Sequence, residues 1–329
     1  MKFAGIIAEY DPFHNGHAWQ LAQAKALGAE RVAVAMSCSL VQRGALPLLP
    51  EAVRTQSALT CGADLVFALP APCACAGAEA FARAGVALLA AAGCDGLVFG
   101  AETPDAALLM EAAELLDSDS YRAALKAQLA GGARSFAAAR QTAAAKLASD
   151  ERVAALLDKP NNNLAVEYCR AIRSLAPRME AYPLPRQGAN HGEALHSAHG
   201  QFASASALRK LWAEGGADAV APYVPEAVFP LYQEAYAAGQ YTDFSAAGRC
   251  ELALLRSACR GKAPFADIRG VSEGLEHRLE AAVRTSTTYD ELLDALTTVR
   301  YPRARMRRLA MDAALGCTAD SLPALPPYL

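Results

Sequence analysis

Two histidines three residues apart, His14 and His17, close the run Gly5-Ile6-Ile7-Ala8-Glu9-Tyr10-Asp11-Pro12-Phe13-His14-Asn15-Gly16-His17-Ala18. Two imidazoles on one turn can donate hydrogen bonds to a phosphoryl oxygen as negative charge builds on it. The elements that must place them are legible around them. Phe3 to Ala8 is a short apolar run of the kind a buried parallel strand uses, Asp11-Pro12 breaks it, and a helix is expected from about Gly16 to Leu27. The first turn of that helix leaves backbone N–H groups unpaired and carries a partial positive charge, which together attract phosphate. Gly16 has no Cβ, so a phosphate or ribose can come close to the backbone there.

A His-x-x-His pair also suits half a metal site, yet no neighbour supplies further ligands at a spacing such as HExxH, and no metal ligand is assigned. A purely structural pair of helix-start histidines is the other reading. A second segment favours nucleotide chemistry. Ser204-Ala205-Ser206-Ala207-Leu208-Arg209 puts hydroxyls at a helix start and an arginine one turn in. Ser204, Ser206 and Arg209 are therefore a candidate second clamp on a triphosphate.

Together these motifs resemble the HIGH-motif nucleotidylyltransferases, relatives of class I aminoacyl-tRNA synthetase catalytic domains. Further blocks follow in order: Glu9 to His17, Met36-Ser37 with Gln42-Arg43-Gly44, Phe99-Gly100-Ala101-Glu102, Pro160-Asn161-Asn162, Arg186-Gln187-Gly188-Ala189 and Thr298-Val299-Arg300-Tyr301-Pro302-Arg303. This ordered set spans nearly the whole chain and resembles the bacterial tRNA(Met) cytidine acetate ligases. The resemblance implies ATP as co-substrate with Mg2+, acetate activated as acetyl-adenylate, and transfer to N4 of the wobble cytidine of elongator tRNA(Met). It implies His14 and His17 as catalytic residues. It also implies an ATP site made of Gly5 through Ala18, Gly100, one amide among Asn161 to Asn163 with Asn162 preferred, Arg186, Ser204, Ser206 and Arg209. Two departures stand out. Asp11 replaces an expected Asn, and Cys38-Ser39-Leu40 replaces the more usual Gly-Asn-Phe.

The whole chain agrees with a globular enzyme. Its 329 residues can bury a sizeable core and suggest two domains, and the 53% apolar content is inflated by alanine. No run approaches the ~18 uncharged apolar residues of a membrane span, and Lys2 leads directly into a strand rather than a secretory pattern, so a soluble cytoplasmic protein is expected. Nine scattered cysteines read as small buried hydrophobes in a reduced compartment. Cys73-Ala74-Cys75 is expected at a strand end with both thiols on one face. Net charge is −3, which gives no overall attraction for RNA. The run Arg300 to Arg308 nevertheless holds five arginines, and Arg300, Arg303, Arg307 and Arg308 are the candidate tRNA contacts, with Tyr301 available for stacking. No protein partner is implied.

Strand-like runs at Phe3 to Ala8, Arg31 to Met36, Asp64 to Leu69 and Gly96 to Phe99 alternate with helical stretches, and Met179 to Leu184 reads as a further strand. This predicts an α/β, Rossmann-like parallel sheet with helices on both faces and ligands beyond the carboxyl ends of the strands. Residues 1–215 are expected as the catalytic domain, with a helical insertion at about 103–158, and residues 216–329 as a smaller helical domain. The polar loop with His191, His196 and His199 is read as solvated histidines. Two rivals remain open at this point: a nucleotidylyltransferase acting on a small molecule, which has no need of the C-terminal arginines, and a non-catalytic RNA-binding protein, which has no need of the two histidines.

Overall fold

A computed structural model describes residues 1–132, 135–186, 195–197, 200–261 and 263–321, of which 195–197, 200, 201 and 321 are described as backbone only. His191, His196 and His199 thus lie outside the described side chains. Five strands, β1 (Phe3–Ala8), β2 (Arg31–Ser37), β3 (Leu65–Leu69), β4 (Gly96–Ala101) and β5 (Glu180–Pro185), form a parallel sheet in the order β3-β2-β1-β4-β5. A short antiparallel pair, β6 (Leu195–Ser197) and β7 (Gly200–Phe202), lies apart from it. The helices of the first half are α1 (Asn15–Ala26), α2 (Glu51–Thr60), α3 (Ala71–Ala74), α4 (Ala78–Ala91), α5 (Ala106–Asp117), α6 (Asp119–Ala130), α7 (Phe136–Leu147) and α8 (Glu151–Leu156). They continue as α9 (Pro160–Leu175), α10 (Ala205–Val220), α11 (Phe229–Ala237), α12 (Phe244–Ala258), α13 (Leu275–Thr285), α14 (Tyr289–Leu296) and α15 (Arg303–Leu315).

Alternate residues of each strand enter different cores. Val32, Val34 and Met36 of β2, with Ile6 and Val98, meet α1, α10 and α11, whereas Ala33, Ala35, Leu97 and Phe99 meet α4, α5 and α9. Burial on both faces is why these strands read as continuous apolar runs rather than alternating ones. The α/β expectation therefore holds. Cys73 and Cys75 do not sit at a strand end: Cys73 lies in the one-turn helix α3 and Cys75 caps it, both buried and unbridged. Pro70 and Pro72 favour a turn of helix over a longer strand there.

A third core gathers Leu252, Leu255, Leu279, Leu293 and Met306 from α12 to α15. Helices α10 and α11 contribute Trp212, Val220 and Tyr232 to the sheet's own core instead, so we place the boundary between the two units near Asp243 rather than at 215. Arg269 is one of the ties that hold the C-terminal unit to the rest. Its guanidinium pairs with Asp312 at 2.5 Å and donates to the carbonyl oxygens of Pro72 at 2.6 Å and Cys75 at 3.2 Å.

Candidate active site

Between β1 and α1 the chain turns sharply. Tyr10 has φ 49°, in the left-handed region that costs a non-glycine residue about 1–2 kcal/mol, and the Asp11–Pro12 peptide is cis. The buried Tyr10 ring holds this turn by packing edge-on against Phe13 and His17, each at 4.8 Å. His14 then caps α1. Its Nδ1 accepts from the Gly16 N–H at 3.0 Å, and His17 Nδ1 accepts from the His14 N–H at 3.3 Å, a reciprocal capping box built from imidazoles. A Cβ on Gly16 would fall 2.8 Å from His14 Cε1, so only glycine lets that ring fold back over the turn.

The caps fix the chemistry of both rings. With each Nδ1 accepting a hydrogen bond, each neutral imidazole carries its proton on Nε2. Burial first, then Arg186 and Arg209, push His14 down to about 3, and burial, His14 and Arg186 hold His17 well below the ordinary 6.5. The rings stack at 3.8 Å. At neutral pH they are two parallel, uncharged N–H donors.

They face a cavity of about 240 Å³ whose wall includes Ile7, His14, Gly16 and His17 from the first turn, Gly100 from β4, and Arg186 after β5. Strand order reverses at β1 and β4, where α/β sheets open a crevice. Asn161 also lines it. Its Nδ2 donates to Glu102 Oε1 at 2.6 Å while its Oδ1 accepts from Arg186, so Glu102 and Asn161 orient that guanidinium at the rim. Asn162 turns away: it is 1% exposed, its Oδ1 accepts from the Thr103 N–H at 2.9 Å, and its Nδ2 donates to Thr103 Oγ1 at 3.1 Å. The preferred amide is thus a loop anchor and its neighbour is on the cavity wall. Adjacent asparagines at a helix start cannot be told apart without knowing the angle at which the helix enters.

The remaining residues of the first run support rather than line the cavity. Gly5, Ile6 and Ala8 lie in β1, Pro12 and Phe13 are buried, Ala18 packs toward the sheet, and Asn15 Nδ2 donates to the Pro222 carbonyl at 3.3 Å. Glu9 accepts from the Gln42 N–H; burial and then Asp11 raise its carboxyl above the usual range. Asp11 accepts from Arg43 Nη2 at 2.8 Å and from the Leu48 N–H at 2.6 Å, and its carboxylate lies 3.3 Å from Arg209. Arg209 donates to the Asp11 carbonyl oxygen as well, at 2.5 Å. Asp11 is therefore a buried counter-charge between two arginines. Ser204 caps α10 by accepting from the Ala207 N–H at 3.2 Å and sits 3.0 Å from Ser206 Oγ, while Ala205 between them reaches the cavity wall.

One supporting residue has no sequence signature. Arg54 in α2 is 0% exposed and donates to the carbonyl oxygens of Leu49 at 3.0 Å, Glu9 at 2.8 Å, Ser37 at 2.6 Å and Cys38. It closes the ends of β1 and β2 around the histidine turn.

The C-terminal arginines do not form one exposed edge. Arg300 precedes α15 and pairs with Glu273 at 2.6 Å, and Arg303 pairs with Asp290 and Asp294. Tyr301 is not open for stacking: it is 9% exposed, donates to Glu273 at 2.8 Å, and lies under the Arg305 guanidinium. Arg308 donates to the Gln42 carbonyl oxygen at 3.3 Å, and Arg307 faces the cleft beside Arg43. Gly44, at φ 76°, lies so close that a Cβ would fall 2.6 Å from the Arg308 backbone nitrogen. Among the described residues no group of three or more His, Cys, Asp or Glu side chains is arranged to hold a metal ion, and no helix is long and apolar enough to cross a membrane.

Comparison with known proteins agrees with this geometry. The HIGH Nucleotidyl Transferase family model matches residues 1–327. A tRNA(Met) cytidine acetate ligase of Syntrophotalea carbinolica is 36% identical over 100% of this chain and 78% of its own length. The enzyme of that name from Acetivibrio thermocellus is 33% identical over 99% of this chain and 80% of its own length. Among solved structures, apo Thermotoga maritima TmcAL superposes with a TM-score of 0.89 at 30% identity, covering 97% of this chain and 77% of that one. The same protein bound with alpha-thio ATP superposes at 0.87 and 29% identity, over 97% of this chain and 76% of that one. With the model matching from end to end and relatives of one name aligning over nearly every residue, this chain belongs to the HIGH nucleotidyl transferases, in the tRNA(Met) cytidine acetate ligase family.

Proposed function

We infer that this chain is an ATP-dependent ligase that activates acetate and acetylates N4 of the wobble cytidine of elongator tRNA(Met). The observation that carries this reading is the pair of neutral Nε2–H donors facing a cavity at the reversal of strand order. An acetate oxygen attacks the α-phosphorus of ATP and pyrophosphate leaves; the cytidine amine then attacks the acetyl carbon, AMP leaves with the bonding electron pair, and the amine loses a proton. Neither step needs a protein nucleophile, so positioning and charge stabilisation must supply the acceleration. His14 and His17 donate to α-phosphoryl oxygens as charge grows there, and the start of α1 adds its partial positive charge. Arg186, oriented by Asn161, neutralises phosphate at the rim.

Arg209 acts on the nucleotide through the Asp11 turn, to which both its contacts run. Among the described residues no protein ligand set fits magnesium: Asp11 is engaged by Arg43 and Arg209, and Glu9 by Gln42. The ion accordingly enters with the nucleotide as part of the substrate. A cavity of about 240 Å³ is below the ~300–1,000 Å³ of typical ligand sites, so it seats part of ATP with the rest along the rim.

The decisive experiment follows label from radioactive acetate into purified elongator tRNA(Met), with ATP and magnesium, in wild type and His17→Ala. Label on the wobble cytidine, falling by about 10²- to 10³-fold in the variant, is expected. Label transfer and pyrophosphate exchange that are both unchanged in His17→Ala would remove the histidine from the chemistry. No transfer by wild type that still binds ATP would favour a nucleotidylyltransferase with another acceptor.

A further inference from the structure

The histidine cavity has two apolar walls, and they come from opposite faces of the sheet. Ile7, Phe99, Leu164 and Tyr168 belong to the core shared with α4, α5 and α9, whereas Trp19 and Leu184 belong to the core shared with α1, α10 and α11. Helical spacing builds the first wall. Asn161, Leu164 and Tyr168 stand at i, i+3 and i+7 of α9, so the amide that orients Arg186 shares one helix face with two side chains further along. The wall is also rigid. Phe99 and Tyr168 pack ring to ring at 5.4 Å, and α4 backs Ile7 so closely that a Cβ on Gly85 would fall 2.6 Å from the Ile7 Cδ1. Tyr168 is 5% exposed, yet among the described residues its hydroxyl makes no hydrogen bond. Unlike the Tyr10 and Tyr121 hydroxyls, which are sealed in the core, it opens onto the cavity. Burial, then Glu9, hold this phenol well above its ordinary 10, so it is a neutral O–H donor at neutral pH. Glu9 itself is engaged by the Gln42 N–H.

A small apolar wall with one unused donor, in the same cavity as two imidazoles suited to a phosphoryl group, fits a short carboxylate. We propose that this wall is the acetate seat: the methyl rests among Ile7, Phe99 and Leu164, and the Tyr168 hydroxyl donates to one carboxylate oxygen while the other faces the α-phosphorus. A phenol holds the carboxylate by one charge-assisted hydrogen bond. It does so without the neutralising charge of a guanidinium, so the second oxygen keeps its nucleophilicity. The rigid wall then sets chain length. One methylene more or less in a hydrophobic pocket is worth about 10–200-fold in discrimination, and a longer chain here meets an isoleucine and two rings that have no room to retreat. This inference rests on the acetate-activating reading and adds to it the residues that choose the acid.

The test reads kcat and KM for radioactive acetate and propionate, by transfer to elongator tRNA(Met) at saturating ATP, in the full chain as wild type, Tyr168→Phe and Leu164→Ala. Tyr168→Phe keeps the ring and loses only a hydroxyl that no described protein group uses. Its melting curve and its ATP dissociation constant should therefore match wild type, while its KM for acetate should rise about tenfold or more, the loss expected for a hydrogen bond to a charged group. Leu164→Ala opens the wall, so the ratio of kcat/KM for propionate to that for acetate should rise about tenfold or more. That ratio does not depend on how much of the enzyme is folded, so a weakened fold cannot mimic it. An unchanged acetate KM in Tyr168→Phe, or an unchanged chain-length ratio in Leu164→Ala, would overturn the seat. Weakened ATP binding in Tyr168→Phe would overturn it too, by giving the wall to the nucleotide. Wild type that binds ATP and transfers no acetate would instead overturn the underlying reading.

Discussion

At the scale of single residues, His14 and His17 do two jobs with opposite ends of one ring. Nδ1 closes the helix cap and leaves Nε2–H as the free donor of a ring that lines the cavity, so the same hydrogen bonds that build α1 also set the tautomer that the proposed phosphate contact needs. Their neutrality has a measurable price in acid. Each folded pKa lies below its unfolded value, so the unfolded chain takes up the protons first. This contribution is complete above pH 6.5 and is lost as pH falls from 6.5 toward about 3. The urea midpoint of the wild type should therefore drop between pH 7.5 and 5.0. It should drop less in the His14→Gln, His17→Gln double variant, and equal drops would assign the acid sensitivity elsewhere. Asp11 belongs to the same scale. It stands where Asn is expected, and it is 2% exposed and engaged by two arginines, so its charge is compensated inside the turn.

At the scale of elements, the Gln42–Gly44 loop links the histidine turn to the C-terminal unit. It is held at Glu9 on one side and at α15 on the other. Gly44→Ala would force an L side chain into φ 76° and drive its Cβ against the α15 backbone. We expect about 2 kcal/mol or more of lost stability and a Tm lower by several degrees; an unchanged melting curve would mean the loop is free of the helix. The five sheet strands and the helix at the histidines were legible because they depend on local pattern: an apolar run, a Pro-marked break, a helix start. Arg54, Asn161 and the Asp11 ion pairs were not. Their roles depend on which distant carbonyl or guanidinium the fold delivers to them, and no spacing along the chain encodes that. The arginine run is divided by the fold for a related reason. Pro302 caps the start of α15, so Arg300 lies outside the helix that carries Arg303, Arg307 and Arg308.

At the scale of the whole molecule, charge is divided by burial. Arg300 and Glu273 are each 53% exposed, and exposed pairs of this kind are worth about 0–1 kcal/mol, so an RNA phosphate can replace the carboxylate at little cost. Arg303 is less exposed and held by both Asp290 and Asp294, whereas Arg308 is anchored on the Gln42 carbonyl oxygen. Replacing Arg303 and Arg307 with glutamine should weaken tRNA binding and flatten its salt dependence by about 0.7–0.9 in log–log slope per lost phosphate contact. ATP binding should stay near wild type, and a parallel fall in both would point to misfolding.

The double use of the two imidazoles also constrains descent. A lineage that discards the proposed chemistry by ordinary substitution at 14 or 17 also loosens the start of α1, at a cost of about 0.5–2 kcal/mol, so loss of activity comes with some loss of stability. A catalytically silent descendant would regain that stability with a conventional cap, such as serine or aspartate at 14 with glutamate or glutamine at 17. That pair of letters, in place of the histidines, would mark a retired enzyme from its sequence alone.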